Sequence, residues 1–312
     1  MGAWSICFKR FALIASGGER RIALHDKNVA PEAIDEMPRF FSIRTVCLTL
    51  VLTFASIASA AELRIDAAGN APTTLTTQQL LARRDVKTIT VPGDVSYHRT
   101  MTYRAVPLRA LPGIATLGKD QDLQIAAIDG YVTNLPHALV VDPTGKGAEP
   151  WLAIEPPDAP WPRANDGKAT GPFYLVWLRP TASGIKSEQW PFQIGSIRMV
   201  SARAGKWPQI EVGSEVPADS IVRRGQTVVV TQCMVCHKLN GAGDAALGPD
   251  LNLPRSPTEY FQPGVLREFI RNPRAIRAWP GMQMPSFPQA NLSDADLDAA
   301  IAYLSYMAQR RK

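Results

Sequence analysis

At 312 residues, with 46% hydrophobic and 20% charged side chains, the chain has room for about two domains of ~150 residues and enough apolar material for a core in each, which excludes wholesale disorder. The formal net charge is +6; seven of the Lys/Arg and five of the Asp/Glu fall in residues 1–60, so the remainder carries 27 against 23, or +4. So mild a basicity excludes the dense Lys/Arg stripe of a nucleic-acid binder.

No charge occurs from Thr45 to Ala61. Arg39 and Arg44 precede an apolar run from Thr45 to Ala55, and Ala58-Ser59-Ala60 follows it. A basic start, a short apolar core and a small-x-small exit predict a secretory signal peptide over residues 37–60, cleaved after Ala60. The apolar core falls short of the ~20 residues of a membrane span, so membrane attachment is expected only through an uncleaved signal segment. Residues 1–36 do not fit this pattern and are expected to be an upstream extension from a misassigned start, with Met37 as the natural one. Export predicts the periplasm as the compartment. Cys7 and Cys47 then leave with the leader, and Cys233 and Cys236 are the cysteines of the mature chain.

Residues 61–205 read as a mostly β (α+β) domain. Val86–Val91 alternates apolar and polar residues, the strand period, and ends at Pro92-Gly93. Leu123–Ile128, Asp129-Gly130 and Tyr131–Thr133 predict a hairpin. Further strands are expected at Ala138–Val141, Trp151–Ile154, Phe173–Trp177 and Phe192–Val200, and one short helix at Thr77–Arg83. His98 and His137 stand apart, without carboxylates at ligand spacing, and read as ordinary histidines rather than metal ligands. Trp151, Trp161, Trp177 and Trp190 read as core and loop anchors, and Arg83, Arg84, Arg99 and Arg104 as a solvated face. No nucleophile–base pair, phosphate-cradling Gly loop or internal repeat is present.

The order Tyr103-Arg104-Ala105-Val106-Pro107-Leu108, Asp129-Gly130-Tyr131, Gly171-Pro172-Phe173-Tyr174-Leu175-Val176 and Trp190-Pro191-Phe192 resembles the sulfite-oxidase-type molybdopterin-binding fold over about 140 residues. In catalytic members of that family a cysteine thiolate ligates molybdenum. This chain has no cysteine between Cys47 and Cys233. The resemblance therefore implies a relative without molybdopterin, used for docking or scaffolding.

Residues 206–219 are expected to form a linker and residues 220–312 an all-α domain. Asp219 or Ser220 can cap a helix running toward Gln232. That helix leads into Cys233-Met234-Val235-Cys236-His237. Two thiols and an imidazole at this spacing form a c-type haem attachment site, with His237 as an axial iron ligand. A flexible loop, Lys238–Gly243, is expected next. Val265–Asn272 predicts a short amphipathic helix ended by Pro273. No histidine follows His237, so a methionine is the candidate for the sixth iron position, with Met282 and Met284 both in reach. Met307 reads as core packing. The last helix starts at the N-cap Ser293 and carries Leu297, Ile301 and Leu304 on one face.

This region resembles class I cytochromes c. The resemblance implies that Gly248-Pro249-Asp250-Leu251 lies against the histidine edge of the haem, with the Pro249 carbonyl accepting the His237 Nδ1 proton. It also implies that Met284, followed by Pro285 and near Phe287, is the sixth ligand rather than Met282, and that the last helix crosses the first. The function expected is periplasmic electron transfer by one covalent haem c, serving as an electron carrier or electron-accepting subunit rather than an enzyme. The partner expected is a periplasmic dehydrogenase or oxidase. Arg267, Arg271, Arg274 and Arg277 are candidates for steering an acidic partner, for pairing with propionates, or for plain solvation. The alternative function is a molybdenum oxidoreductase of the sulfite-dehydrogenase kind, which the missing cysteine opposes.

Overall fold

The computed structural model describes residues 61–67, 71–202, 206–262 and 264–311; the expected leader, with Cys7 and Cys47, lies outside them. These residues belong to one compact unit. Within it are two hydrophobic cores, one among strands and one among helices.

The β module contains β1 (Glu62–Asp66), β2 (Thr73–Thr76), α1 (Thr77–Leu81), β3 (Lys87–Asp94), β4 (Arg99–Pro107), β5 (Gln121–Ala127), β6 (Val132–Pro136), α2 (His137–Val140), β7 (Glu149–Ile154), β8 (Phe173–Leu178) and β9 (Ile194–Ser201). One sheet runs β2-β1-β9-β5-β6 and the other β3-β4-β7-β8. The pairings are antiparallel except β1 with β9. Leu63, Ile65, Leu123, Ile125 and Ile197 of the first sheet share a core with Val106, Leu152, Ile154, Leu175 and Trp177 of the second. β8 is buried from Phe173 through Trp177, on both faces, which is why it reads as an unbroken apolar run instead of alternating.

The expected hairpin is β5–β6, in register from Asp122↔Pro136 to Ala126↔Val132, with Asp129-Gly130 at its tip. Ala138–Val141 is not a strand. Pro136, at φ −56°, ends the β6 ladder, where it offers no N–H, and the chain turns into α2. Strands β1, β2 and β4 are not among those expected from the sequence. β1 buries only Leu63 and Ile65, too short a stretch for alternation to stand out. Asp94, fully buried beside the β3–β4 turn, accepts hydrogen bonds from the Ser96 and Tyr97 amides (2.9 and 3.1 Å) and the Tyr103 and Tyr174 hydroxyls (2.9 and 3.2 Å). Burial raises its pKa, and the four donors oppose that shift.

The helical module contains α3 (Ile221–Val228), a π-turn (Val229–Cys233), α4 (Pro257–Tyr260), α5 (Val265–Arg271), α6 (Pro273–Ile276) and α7 (Asp294–Ala308). Ser220 and Ser293 cap α3 and α7, accepting from Arg223 N at 3.3 Å and Asp296 N at 3.1 Å. α3 and α7 pack together at Gly225. A Cβ there would strike the Ala299 carbonyl oxygen and come within 2.7 Å of Tyr303 Cβ, so only glycine permits this approach. Leu297, Ala300, Tyr303, Leu304 and Met307 fill the core on the α7 side.

Part of the expected linker belongs to this core. Ile210 and Val212 are buried in it, and Tyr303 Oη donates to the Ile210 carbonyl at 2.5 Å. Arg223 donates to the carbonyls of Val216 (2.9 Å) and Gly213 (2.8 Å). Residues 206–219 therefore include an arm bound to the helices, because the carbonyls of this irregular backbone find donors on α3 and α7.

Candidate functional site

The haem attachment motif begins where α3 widens. Val228, Val229 and Val230 are β-branched and fit an α-helix poorly. The chain passes here into the π-turn, closed by Met234 N–H to Val229 O at 2.9 Å. The Cys236 and His237 amides then both donate to Cys233 O, at 3.1 and 3.0 Å. Cys233, Cys236 and His237 thus sit on one tight turn at the helix end.

The imidazole is held on two sides. His237 Nδ1 lies 2.7 Å from Pro249 O, and a carbonyl only accepts, so the proton is on Nδ1 and the Nε2 lone pair is free. Gly248 packs against the ring: a Cβ there would lie 2.5 Å from Cε1 and 2.6 Å from Nδ1. The Gly248 amide donates to Cys236 O at 2.7 Å, joining this segment to the attachment turn. Burial lowers the His237 pKa, opposed by the Pro249 hydrogen bond and by Asp250, so the ring is neutral at pH 7. A neutral imidazole with Nε2 free suits a metal.

Cys233 and Cys236 are free thiols. Each is pushed up to about 12, first by burial; then Glu188 adds to the shift at Cys233, and Asp129 and Glu188 at Cys236. Both carboxylates belong to the β module, so the attachment turn lies against it. β6 is an edge strand, and its Val132 amide donates to Val235 O at 2.9 Å. The turn thereby satisfies one ladder group of an otherwise open edge. Gln124 Nε2 of β5 donates to Asp244 Oδ2 at 2.6 Å, and Lys206 pairs with the same carboxylate at 3.1 Å.

The segment expected to be a flexible loop is a tight turn. Leu239 and Ala242 exchange two 2.9 Å hydrogen bonds across Asn240 and Gly241, both at positive φ (52° and 74°). Asn-Gly is the residue pair such a turn demands, so the cue was present in the sequence. Asp250 accepts from the Asn240 and Gly241 amides at 3.1 and 2.7 Å and fixes the turn.

Both candidate methionines lie in one irregular segment. Met282 is buried, and Met284 is half-buried against the second core, near buried Phe287. Arg271 holds this segment: its guanidinium donates to Phe287 O (2.7 Å), Leu292 O (2.5 Å) and Asp294 (2.6 Å). Arg267 pairs with Asp294 at 3.3 Å and with Asp298. Arg274 donates to Met282 O at 3.3 Å. Three of the four arginines considered for steering are thus engaged within the fold. Their partners are backbone carbonyls and distant aspartates, which sequence spacing does not disclose. Arg271→Ala is expected to lower stability by about 2–3 kcal/mol, the usual worth of charged hydrogen bonds. Urea unfolding followed by tryptophan fluorescence measures this; an unchanged midpoint would show that the segment is held otherwise.

The site therefore offers a neutral imidazole with Nε2 free, two thiols on the same turn, and a methionine-bearing segment at the same core. This donor set fits a covalently attached haem. Among the described residues, no cluster of three or more His, Cys, Asp or Glu is arranged to hold a metal ion. Residues 222–308 match the family model described as Cytochrome c, and the match stays within the helical module. No curated protein matches the chain. A domain of this family holds haem c covalently and serves electron transfer. The C-terminal part of this chain, residues 222–308, is a cytochrome c domain.

Proposed function

We propose that this chain is an exported, periplasmic electron-transfer protein in which Cys233 and Cys236 would hold one haem c covalently and His237 and Met284 would ligate its iron. The observation that carries this reading is the 2.7 Å contact of His237 Nδ1 with Pro249 O over Gly248, which leaves Nε2 as the donor. Bound there, the haem supplies a reversible one-electron ferric–ferrous couple. Pro249 holds the His237 ring in one orientation and makes Nε2 a better donor. Met284 contributes a soft thioether, which favours the ferrous state and a high potential. Val229, Leu239, Phe287 and Leu304 are buried in the core that Cys233 packs against, and would exclude water from the bound group. Export rests on the apolar run of residues 45–55 between its basic and small-residue flanks.

The β module serves as the scaffold on which the attachment turn is docked and through which a dehydrogenase or oxidase is engaged. The Val132–Val235 hydrogen bond and the Gln124–Asp244–Lys206 cluster support the docking of the turn on that scaffold. A molybdenum enzyme of the sulfite-oxidase kind would need a thiolate that residues 61–232 do not contain.

Metal analysis of the purified holoprotein tests the reading: one iron and no molybdenum per chain are expected, and stoichiometric molybdenum would overturn it. For the ligand, Met284→Ala is expected to abolish the far-red sulfur-to-iron band of the oxidised protein. Survival of that band in Met284→Ala and its loss in Met282→Ala would assign the sixth position to Met282.

A further inference from the structure

Glu188 belongs to the β module and lies on a short 3₁₀ turn, Ser187–Gln189, between β8 and β9. This turn packs against both β6 and the π-turn that carries Cys233. It is pinned at three points. Trp177 Nε1 donates to Gln189 O at 2.7 Å, the Lys186 amide donates to Gln189 Oε1 at 2.9 Å, and the Tyr131 hydroxyl donates to Glu188 O. Tyr131 precedes Val132, whose amide is bonded to Val235 within the attachment motif. A continuous set of contacts thus runs from the attachment turn to Glu188, and its carboxylate acts on both thiols.

The carboxyl is half-buried, and Ser187 Oγ donates to its Oε2 at 2.6 Å. Burial raises its pKa above the ordinary carboxyl value, opposed by the Ser187 hydroxyl, its own backbone amide and the Lys186 ammonium. Tyr131 and the two thiols, all raised by burial, are neutral at pH 7. Asp129 and Lys168 also act on Cys236, but both are exposed. Solvent and salt screen those two charges, whereas Glu188 acts through a drier medium in which charges are felt more strongly.

A haem held by Cys233 and Cys236 would carry one more positive charge in its ferric than in its ferrous state. A neighbouring carboxylate favours the ferric state, so the proton affinity of that carboxylate rises when an electron arrives. We propose that Glu188 couples a proton to the electron: its carboxylate takes up one solvent proton on reduction and releases it on oxidation, so that the β module sets the pH dependence of the haem potential. In balance, the ferric form, one electron from the donor protein and one proton give the ferrous form with a neutral Glu188 carboxyl, and no bond to the haem forms or breaks. This inference rests on the haem c reading proposed above.

The test is spectroelectrochemical titration of the holoprotein across a series of pH values. Over an interval above the ordinary carboxyl pKa, the wild-type potential is expected to fall by up to ~59 mV per pH unit, the equivalent of a tenfold change per unit for one electron. Glu188→Gln should lose this slope and keep the wild-type low-pH potential throughout, because the amide stands for the neutral carboxyl. Propionate titration contributes alike to both proteins, so the difference between them is the readout. Ser187→Ala removes a donor to the carboxylate, leaves Glu188 in place and should move the sloping interval to higher pH. Asp129→Asn should retain the slope. Infrared difference spectra of the wild type should show a protonated-carboxyl band on reduction, absent in Glu188→Gln. An equal slope in Glu188→Gln, an unmoved interval in Ser187→Ala, loss of the slope in Asp129→Asn or a missing carboxyl band would overturn this inference and leave the haem reading intact. Haem extracted by acidified acetone would show that it is not covalent and would overturn both.

Discussion

Gly248→Ala is expected to disable the histidine side of the haem site. The backbone at Gly248 needs no positive φ, so alanine is conformationally acceptable, and the obstacle is the His237 ring. The added methyl would sit 2.5–3.0 Å from three ring atoms. The ring must tilt, and tilting stretches the 2.7 Å contact with Pro249 O. Overpacking costs ~1–3 kcal/mol and the lost hydrogen bond ~1 kcal/mol, so a loss of about 2–4 kcal/mol is expected. Haem-to-polypeptide stoichiometry and the low-spin spectrum at neutral pH report the effect. Full haem content with an unaltered spectrum would show that the ring is positioned by something other than this stack.

Gly225→Ala sets two effects against each other. Within a helix, alanine is better than glycine by about 1 kcal/mol. Against that, the new Cβ meets the Ala299 carbonyl oxygen and the Tyr303 Cβ, both on α7. Backbone cannot swing aside as a side chain can, so α3 and α7 must separate, and the packing of Leu297, Ala300, Tyr303 and Leu304 loosens. The clash wins, and a net loss of about 2–4 kcal/mol is expected. For a chain of this size that lowers Tm by roughly 5–15 °C, measurable by calorimetry of the holoprotein. A Tm at or above the wild-type value would mean that intrinsic helix propensity outweighs the crossing.

Much of the site was legible because its chemistry is local. Cys233, Cys236 and His237 fall within five consecutive positions, and one helical turn suffices to bring them together. The caps at Ser220 and Ser293 and the face of α7 are also short-range patterns. The Met284-Pro285 pair could be noticed, but whether Met284 or Met282 reaches the iron depends on an irregular segment whose path is held by Arg271. The sequence left that arginine open to partner steering, propionate pairing or plain solvation. Its partners Phe287, Leu292 and Asp294 lie 16 to 23 residues away, and two of its contacts are to backbone carbonyls that carry no residue code. Ala138–Val141 was misread for a related reason: a short β-branched run suits either state, and Pro136 decided which.

By itself, the sequence determined the cluster of two thiols and an imidazole, the helices around it and a β-rich region before them, since spacing and periodicity act over a few residues. Only the tertiary structure decided that the attachment turn closes the β6 edge and that the supposed linker is bound to α3 and α7. Each of these depends on groups more than 70 residues apart or on backbone donors and acceptors that are identical at every position, and only the folded path of the chain selects which of them meet.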